Sequence, residues 1–355
     1  MGHPNKIILP VISVVVAFTR SEGCIINCLE SIFGTDYPRG RLEVIVIDDS
    51  HDDALAELVQ KRFPLVRLLR PSAPLGCDGA KQAGIDAATG DIIALTDADC
   101  TVCRSWARVM AKELNSGADA VTGPVRHPKT FLRELIGISD FQDFQMDTYA
   151  WTNNFPGCNF GASRELFAET RFRWNDSIRT GSDRLVSWYL YSAGRRICYD
   201  PAMVVYHEPQ VDVANLLERR MRYGRTALSI RKLDPTLPGG ALAKFILLAS
   251  PAYVCYKVAK DVRCLADMTR RRLVNPLHVP LLFPALVLFR IFDAIGIATS
   301  SEKNGYALTI PTQKQEAGAP TSFDGGFPSD GGEVENILPL PQAGEGRGEG
   351  TCDHR

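Results

Sequence analysis

IIALTDADC, Ile92–Cys100, is an apolar run that ends in two carboxylates separated by one alanine. Aspartate is common where a strand gives way to a turn. Two acids one residue apart, at the exit of a segment that reads as a buried strand, point further, to something cationic held there. A second run, EVIVIDDS (Glu43–Ser50), closes the same way on Asp48 and Asp49. Between and before these runs the chain alternates. Val11–Phe18 is rich in Val and Ile, as suits a strand buried on both faces. In SEGCIINCLESIF, Ile25, Cys28, Leu29 and Ile32 recur at helical spacing behind Ser21. Asp52–Phe63 places Leu55, Leu58 and Val59 on one helix face, LVRLL is a third strand, and GCDGAKQAGIDAATGD is a Gly-bearing loop and helix before Asp91–Thr96. Such alternation predicts an α/β fold with a mixed, largely parallel sheet flanked by helices, whose ligands collect at the carboxyl ends of the strands. Both acid pairs belong at that edge.

Composition narrows the partners. The 355 residues are 45% hydrophobic and 23% charged, and 40 Lys plus Arg against 41 Asp plus Glu leave a net charge of −1. No global field favours nucleic acid, and none is expected as a partner. The ten cysteines lack a disulfide-framework spacing and read as reduced thiols. Cys100 and Cys103 form a C-x-x-C, but without a second Cys or His pair it does not read as a zinc site. The N-terminal IILPVISVVVAF is broken by Pro10 and reads as the first strand, not as a targeting segment, and Lys6 stands where a myristoylation motif after Gly2 wants Ser or Thr.

In order, VVVAFTR, CLESIFGTDYP, EVIVIDDS, GAKQAGIDAATGDIIALTDADC, PGCNFGASRELF, TGSDRLVSWYLYSAG and RRMRYGR resemble the motifs of family 2 glycosyltransferases, inverting enzymes of the GT-A (Rossmann-like) fold, over about Val11–Tyr223. The resemblance implies transfer of a sugar from a nucleotide-diphosphate-sugar donor to an acceptor hydroxyl. Charge grows on the leaving diphosphate, and Mg²⁺ or Mn²⁺ held by oxygen ligands would neutralise it. Asp97-Ala98-Asp99 resembles the D-x-D motif, with Asp97 on the donor ribose or the metal and Asp99 on the metal; a turn beginning at Ala98 would splay the two side chains. Asp48 and Asp49 resemble the acids that bond the nucleotide base. Lys81 stands where relatives often carry Arg and is expected on the nucleotide. Asp183 matches the general base, with Ser182 in place of a frequent Glu. Gly157, Asn159 and Gly161 resemble the acceptor-pocket loop, and His207 falls where relatives carry a His near the metal. Arg222 and Tyr223 partly match Q-x-x-R-W, which assigns Arg222 to the diphosphate; Arg219 in the Gln position argues for single transfer over processive synthesis.

Two apolar stretches follow, ALAKFILLASPAYVCY and LHVPLLFPALVLFRIFDAIGIA, on either side of the basic KVAKDVRCLADMTRRRLVNP. Pro251 in the first and Pro280, Pro284, Arg290 and Asp293 in the second weigh against spanning, and a single span would leave the basic segment outside. The expectation is a membrane-associated helical region on the cytoplasmic face, its basic linker on anionic headgroups, serving a sugar or lipid-linked acceptor. From about Thr312 the chain is Gly, Pro, Ser and Glu without periodicity, and ILPLPQAGEGRGEG resembles a translated intergenic repeat; disorder is expected there. The organisation read from sequence is a glycosyltransferase domain over 1–235, a helical membrane-associated region over 236–300 and a low-complexity tail over 301–355. Two other readings stay open, a nucleotidyltransferase on a related sheet and a nucleotide-sugar-binding membrane module without turnover.

Overall fold

The computed structural model describes residues 9–18, 22–50, 52–169, 174, 181–237, 240 and 246–300. Ser21 and the whole of 301–355, on which a helix cap and a disordered tail are expected, lie outside these residues. The first half follows the alternation of the sequence: β1 (Ile12–Phe18), α1 (Glu22–Phe33), β2 (Leu42–Asp48), α2 (Asp53–Arg62), β3 (Arg67–Leu69), α3 (Gly76–Ala87) and β4 (Ile92–Asp97). β1 pairs in parallel with β2 and with β4, and β2 with β3. All seven residues of β1 are buried. Its alternate side chains divide between two faces. Val14, Val16 and Phe18 pack with Ile25, Leu29 and Ile32 of α1, while Val15 and Ala17 pack with Ala80 and Ile85 of α3. On α2, Asp52 caps the helix by accepting from the Ala54 and Leu55 N–H groups, but Leu58 is 41% exposed and Ala56 takes its expected place beside Leu55 and Val59.

The second half continues with β5 (Cys100–Val102), α4 (Trp106–Asn115), β6 (Ala120–Thr122), β7 (Val125–Arg126), α5 (Phe131–Asp140), β8 (Ala150–Thr152), β9 (Phe160–Ser163), α6 (Arg164–Ala168), α7 (Ser182–Ser192), β10 (Ile197–Tyr199) and β11 (Val205–His207). The main sheet has the order β3-β2-β1-β4-β9-β6-β10-β8. β9 runs antiparallel to both β4 and β6, so the sheet is mixed. A second, small sheet, β5-β11-β7, starts three residues beyond the end of β4. It lies where the acid pair of β4 emerges.

Three long helices complete the described chain: α8 (Val213–Leu233), α9 (Ile246–Arg270) and α10 (Val279–Ala298). The basic segment is not a linker. Most of it is the second half of α9, and several of its charges are taken up by protein carboxylates: Lys260 by Asp143 at 2.7 Å, and Arg271 by Asp267 at 2.9 Å and by Asp147. The charges inside the last apolar stretch are likewise internal. Arg290 donates through Nε and Nη2 to both oxygens of Asp261 (2.6 and 2.7 Å) and through Nη1 to Asp293 (2.7 Å), all three residues being about 1% exposed. Buried charges persist only when paired and hydrogen-bonded, and this set ties α10 to α9.

α10 also crosses α8 at backbone contact. A Cβ on Gly224 would lie 2.0 Å from the Asp293 carbonyl oxygen, and one on Gly296 2.1 Å from that of Met221. Gly224→Val is therefore expected to destabilise the fold by about 1–3 kcal/mol. Urea denaturation checks this against Gly40→Ala, where an added methyl meets nothing within 4 Å and the expected change is within about 0.5 kcal/mol.

Candidate active site

The acids of β4 part company at the turn that follows the strand. Asp97, its last residue, receives the Lys81 ammonium at 2.6 Å. Lys81 comes from the buried face of α3 and is 4% exposed. Burial opposes its charge, but Asp97, together with Cys77 and Asp78, outweighs burial and holds the ammonium well above its usual range. Lys81 Nζ also donates to the Gly157 carbonyl at 3.2 Å. The N–H of Gly157 in turn donates to Asp183 Oδ2 at 3.2 Å. One residue of the Pro156–Gly157 loop thus joins β4 and α3 to the start of α7. A side chain at position 157 would press on the Lys81 ammonium, 3.2 Å from where a Cβ would stand.

Asp99 turns the other way, to His207, whose Nε2 lies 3.3 Å from Asp99 Oδ2. The small sheet makes this contact: β11 pairs antiparallel with β5, setting His207 opposite Cys100, and the Glu208 N–H donates to the Asp99 carbonyl at 2.8 Å. β7 runs beside β11, and His127 just after it lies 3.0 Å from His207 Nδ1 through its Nε2. Burial, then the neighbouring His207, hold His127 well below the ordinary imidazole range, so it is neutral. A cation at His207 Nε2 would require the tautomer whose proton sits on Nδ1, toward His127. Burial would raise Asp99, but His207 and then Arg219 bring it down to about 2, so it is ionised.

Asp99, His207 and Cys100 gather their ligand atoms within 4.8 Å of one another. Burial keeps the Cys100 thiol far above its ordinary range and protonated. The usable donors are thus one carboxylate and one imidazole, a set that suits a divalent cation completing its shell with phosphate and water. Asp97, expected among the metal ligands, is not in this group. The strand ends at residue 97, and the turn sends its carboxylate to Lys81 instead. Cys100 and Cys103 are free, buried thiols.

Other expected site residues have internal roles. Asp48 faces Arg70 Nε at 2.9 Å, and Asp49 accepts from the N–H groups of Leu75 and Gly76 (2.7 and 2.8 Å), pinning the entry to the helix that carries Lys81. Asn159 does not reach a pocket. It is fully buried, accepts from Trp106 Nε1 at 2.9 Å and donates to the carbonyls of Pro124 and Met203 at 3.1 and 2.8 Å. Gly161 is a packing position on β9, since a Cβ there would lie 2.4 Å from Met110 Sδ. Arg222 points outward, bonded to Glu218 one turn back at 3.0 Å.

The inward face of α8 carries Arg219, Arg220 and Tyr223 instead. Arg219 Nε donates to the Tyr223 hydroxyl at 2.7 Å and both arginines reach Asp140, at 3.3 and 2.5 Å. The sequence carries this signal in its period: Leu216, Arg220, Gly224 and Leu228, four residues apart, are all buried. Asp78 is the other residue that motif reading passes over. It lies on α3 and accepts a short hydrogen bond from the Ser182 hydroxyl. Burial raises its pKa to about 7. An acid from α3 therefore stands beside Ser182, the position where the family resemblance leads one to expect Glu.

Known proteins resemble this chain in sequence and in fold. Residues 13–171 match the family model described as glycosyl transferase family 2. The chain is 26% identical over 233 residues to a probable glycosyltransferase, YdaM, of Bacillus subtilis, covering 61% of this chain and 55% of that one. It is 36% identical over 100 residues to the beta-monoglucosyldiacylglycerol synthase of Trichormus variabilis, 26% of this chain and 21% of that one. The chain spans 40–55% of the length of the first curated relatives it matches. Among solved structures, the mannosyltransferase PcManGT of Pyrobaculum calidifontis, in complex with GDP-Man and Mn²⁺, superposes with a TM-score of 0.56 at 19% identity, over 84% of this chain and 90% of that one. The fold is GT-A. The role found for Asn159 leads to a checkable outcome. Asn159→Ala would strand three buried partners and lower stability by roughly 3 kcal/mol or more, read from the shift in urea midpoint.

Proposed function

This chain belongs to glycosyltransferase family 2, and on that premise we propose that it moves a sugar from a nucleotide-diphosphate-sugar donor to an acceptor hydroxyl in one inverting, non-processive step. The observation that carries the reading is the continuous run Asp97–Lys81–Gly157–Asp183 beside the Asp99–His207 pair. Asp99 and His207 would hold Mg²⁺ or Mn²⁺, which supplies charge neutralisation to the departing diphosphate; the PcManGT complex holds Mn²⁺ and GDP-Man on the same fold. Asp183 takes the acceptor proton. Its carboxylate is aimed by two backbone donors, the N–H groups of Gly157 and Arg184 at 3.2 and 2.8 Å. Asp97, neutralised by Lys81, faces the donor without adding net negative charge to a site that must accept a diphosphate. Asp49 orders the loop next to which the nucleotide base would lie.

Membrane contact forms the second part of the proposal. Within Pro276–Ala298, α10 and the turn before it, an 18-residue window reaches a mean hydropathy of 2.0. Leu277, Leu281, Leu288, Ile291 and Ile295 recur at steps of three, four and seven residues and are 40–82% exposed. They form an apolar stripe opposite the face that packs on α8. A helix packed on one side and apolar on the other suits burial in a leaflet's surface, not a span. With sugar nucleotides made in the cytoplasm, the cytoplasmic face is the expected location. On this reading residues 1–235 are the transferase domain, 236–300 the membrane-facing region and 301–355 a tail without a role in transfer.

Two outcomes follow. In a transfer assay with GDP- and UDP-sugars and Mn²⁺, Asp183→Asn should lose about 10²–10⁴-fold in kcat while nucleotide binding persists; Asp99→Asn should lose metal-dependent nucleotide binding. Full activity in both variants refutes the site, and release of pyrophosphate from a nucleoside triphosphate would instead make the chain a nucleotidyltransferase. For the membrane, Leu281→Glu with Ile291→Glu should abolish co-sedimentation with phosphatidylglycerol vesicles and leave the urea midpoint unchanged. Unaltered sedimentation would rule out this face.

A further inference from the structure

Asp183 is held at the start of α7 from two sides. Its Oδ2 accepts from the Gly157 N–H at 3.2 Å, and the Gly157 carbonyl accepts from Lys81 at 3.2 Å. The residue before it, Ser182, is 1% exposed and donates its hydroxyl to Asp78. Asp78 and Lys81 lie three residues apart on α3, which sets them on one face of that helix. These contacts close a ring: from Asp78 to Ser182, along the chain to Asp183, across to Gly157, and back through Lys81 to α3. Gly181 caps α7 without a side-chain hydrogen bond, at a φ of 90°, and the tie at Ser182 joins the first turn of the helix to α3. Asp78 itself is 9% exposed, so it acts from behind the site and not on a ligand.

We propose that Asp78 is a positioning residue for transfer: through the Ser182 hydroxyl its ionised carboxylate holds the first turn of α7 and so aims Asp183 at the acceptor hydroxyl. The inference rests on Asp183 as the base of a transfer reaction. A hydrogen bond to an ionised acceptor is roughly twice as strong as one between neutral groups, so the ring is tight while Asp78 is charged and loosens when it takes a proton. Charged groups face Asp78 from three elements: Lys81 on its own helix, Asp97 at the end of β4 and Asp183 on α7. Burial raises Asp78 to about 7; Lys81 and the Ser182 hydroxyl oppose the rise, and Asp183 and Asp97 add to it. The carboxylate is therefore ionised above about pH 7 and neutral below it. Turnover should fall as the pH drops through that value, while the donor, which Asp78 does not touch, binds as before.

The test follows hydrolysis of GDP-, UDP- and dTDP-sugars by the full chain with Mg²⁺, from about pH 6 to about pH 8. Water takes the acceptor's place: its oxygen bonds the anomeric carbon as the nucleoside diphosphate leaves, and its proton passes to Asp183. In the wild type kcat should fall as the pH drops through about 7, with KM for the donor constant. Asp78→Asn, whose amide oxygen can still accept from Ser182, should lower kcat above neutrality by about tenfold or more and lose that acid limb. Ser182→Ala removes a hydrogen bond that lowers Asp78, so its limb should move to higher pH. Neither change should alter KM. A merely structural tie would shift the urea midpoint and leave the limb in place. A wild-type kcat that is flat across neutrality, a limb that stays in Asp78→Asn, or one that does not rise in Ser182→Ala overturns the role of Asp78; should the urea midpoint show that Asp78→Asn does not fold, Ser182→Ala decides alone. Asp183→Asn separates this role from the reaction itself. Loss of activity there, beside Asp78→Asn and Ser182→Ala variants that behave like wild type, removes only the role of Asp78. Full activity in Asp183→Asn, or no turnover of any of these sugar nucleotides by the wild type, removes the transfer mechanism as well.

Discussion

The buried contact between Lys81 and Asp97 is the constraint on which the site depends. An ammonium at 4% exposure is stable only with a carboxylate against it, and removing either partner would leave an uncompensated charge in the interior. Because Lys81 comes from α3 and Asp97 from the end of β4, the pair sets the helix's position over the sheet. Through the Gly157 carbonyl it also fixes the loop whose N–H orients Asp183. Four segments far apart in the chain are thereby held to one geometry. The Lys81–Asp97 pair leaves no net charge at its centre, as the proposed diphosphate-sugar donor would require.

A second assembly meets it from the other side. The three short strands of the small sheet bring His207 to Asp99 and His127 to His207, so that each ring nitrogen of His207 has a neighbour. Orientation of a ligating imidazole by a partner on its other nitrogen is the usual way a metal site is made rigid. Behind these groups, Arg219 and Arg220 of α8 reach Asp140, Tyr223 accepts from Arg219, and the same ion-paired set continues through Asp293 and Arg290 to Asp261 on α9. The C-terminal helices are thus coupled to the catalytic edge by paired charge as well as by apolar packing. This coupling explains why a stretch as apolar as α10 carries Arg290 and Asp293.

What could be read from residues alone depended on whether a side chain's role is set locally. The α/β alternation, the face of α1 and the exit of β4 were legible because hydrophobic period and turn chemistry act within a few residues. The same local logic placed the acids at the carboxyl edge of the sheet. It failed at Asn159 and Gly161, where polar or small residues in a motif looked like pocket lining but meet Trp106 and Met110 in the core. It also failed at Arg222. On α8 the buried step of four residues selects Arg220 and brings Arg219 and Tyr223 with it, and that period is weak in a helix so rich in arginine. Asp78 was missed because an isolated acid in a helix carries no pattern; its meaning comes from Ser182, 104 residues later.

Sequence by itself determined the order of strands and helices from β1 to β4, the two acidic strand ends and the apolar character of the last helix, since each follows from burial pattern and backbone preference over short range. Only tertiary structure decided that Asp97 and Asp99 serve different partners, that Lys81 is an internal counter-ion, and that the outward face of α10 is wholly apolar while its charges lie inside. Those outcomes turn on which distant groups share a low-dielectric space, where a charge must find its opposite, and no local stretch of chain specifies that.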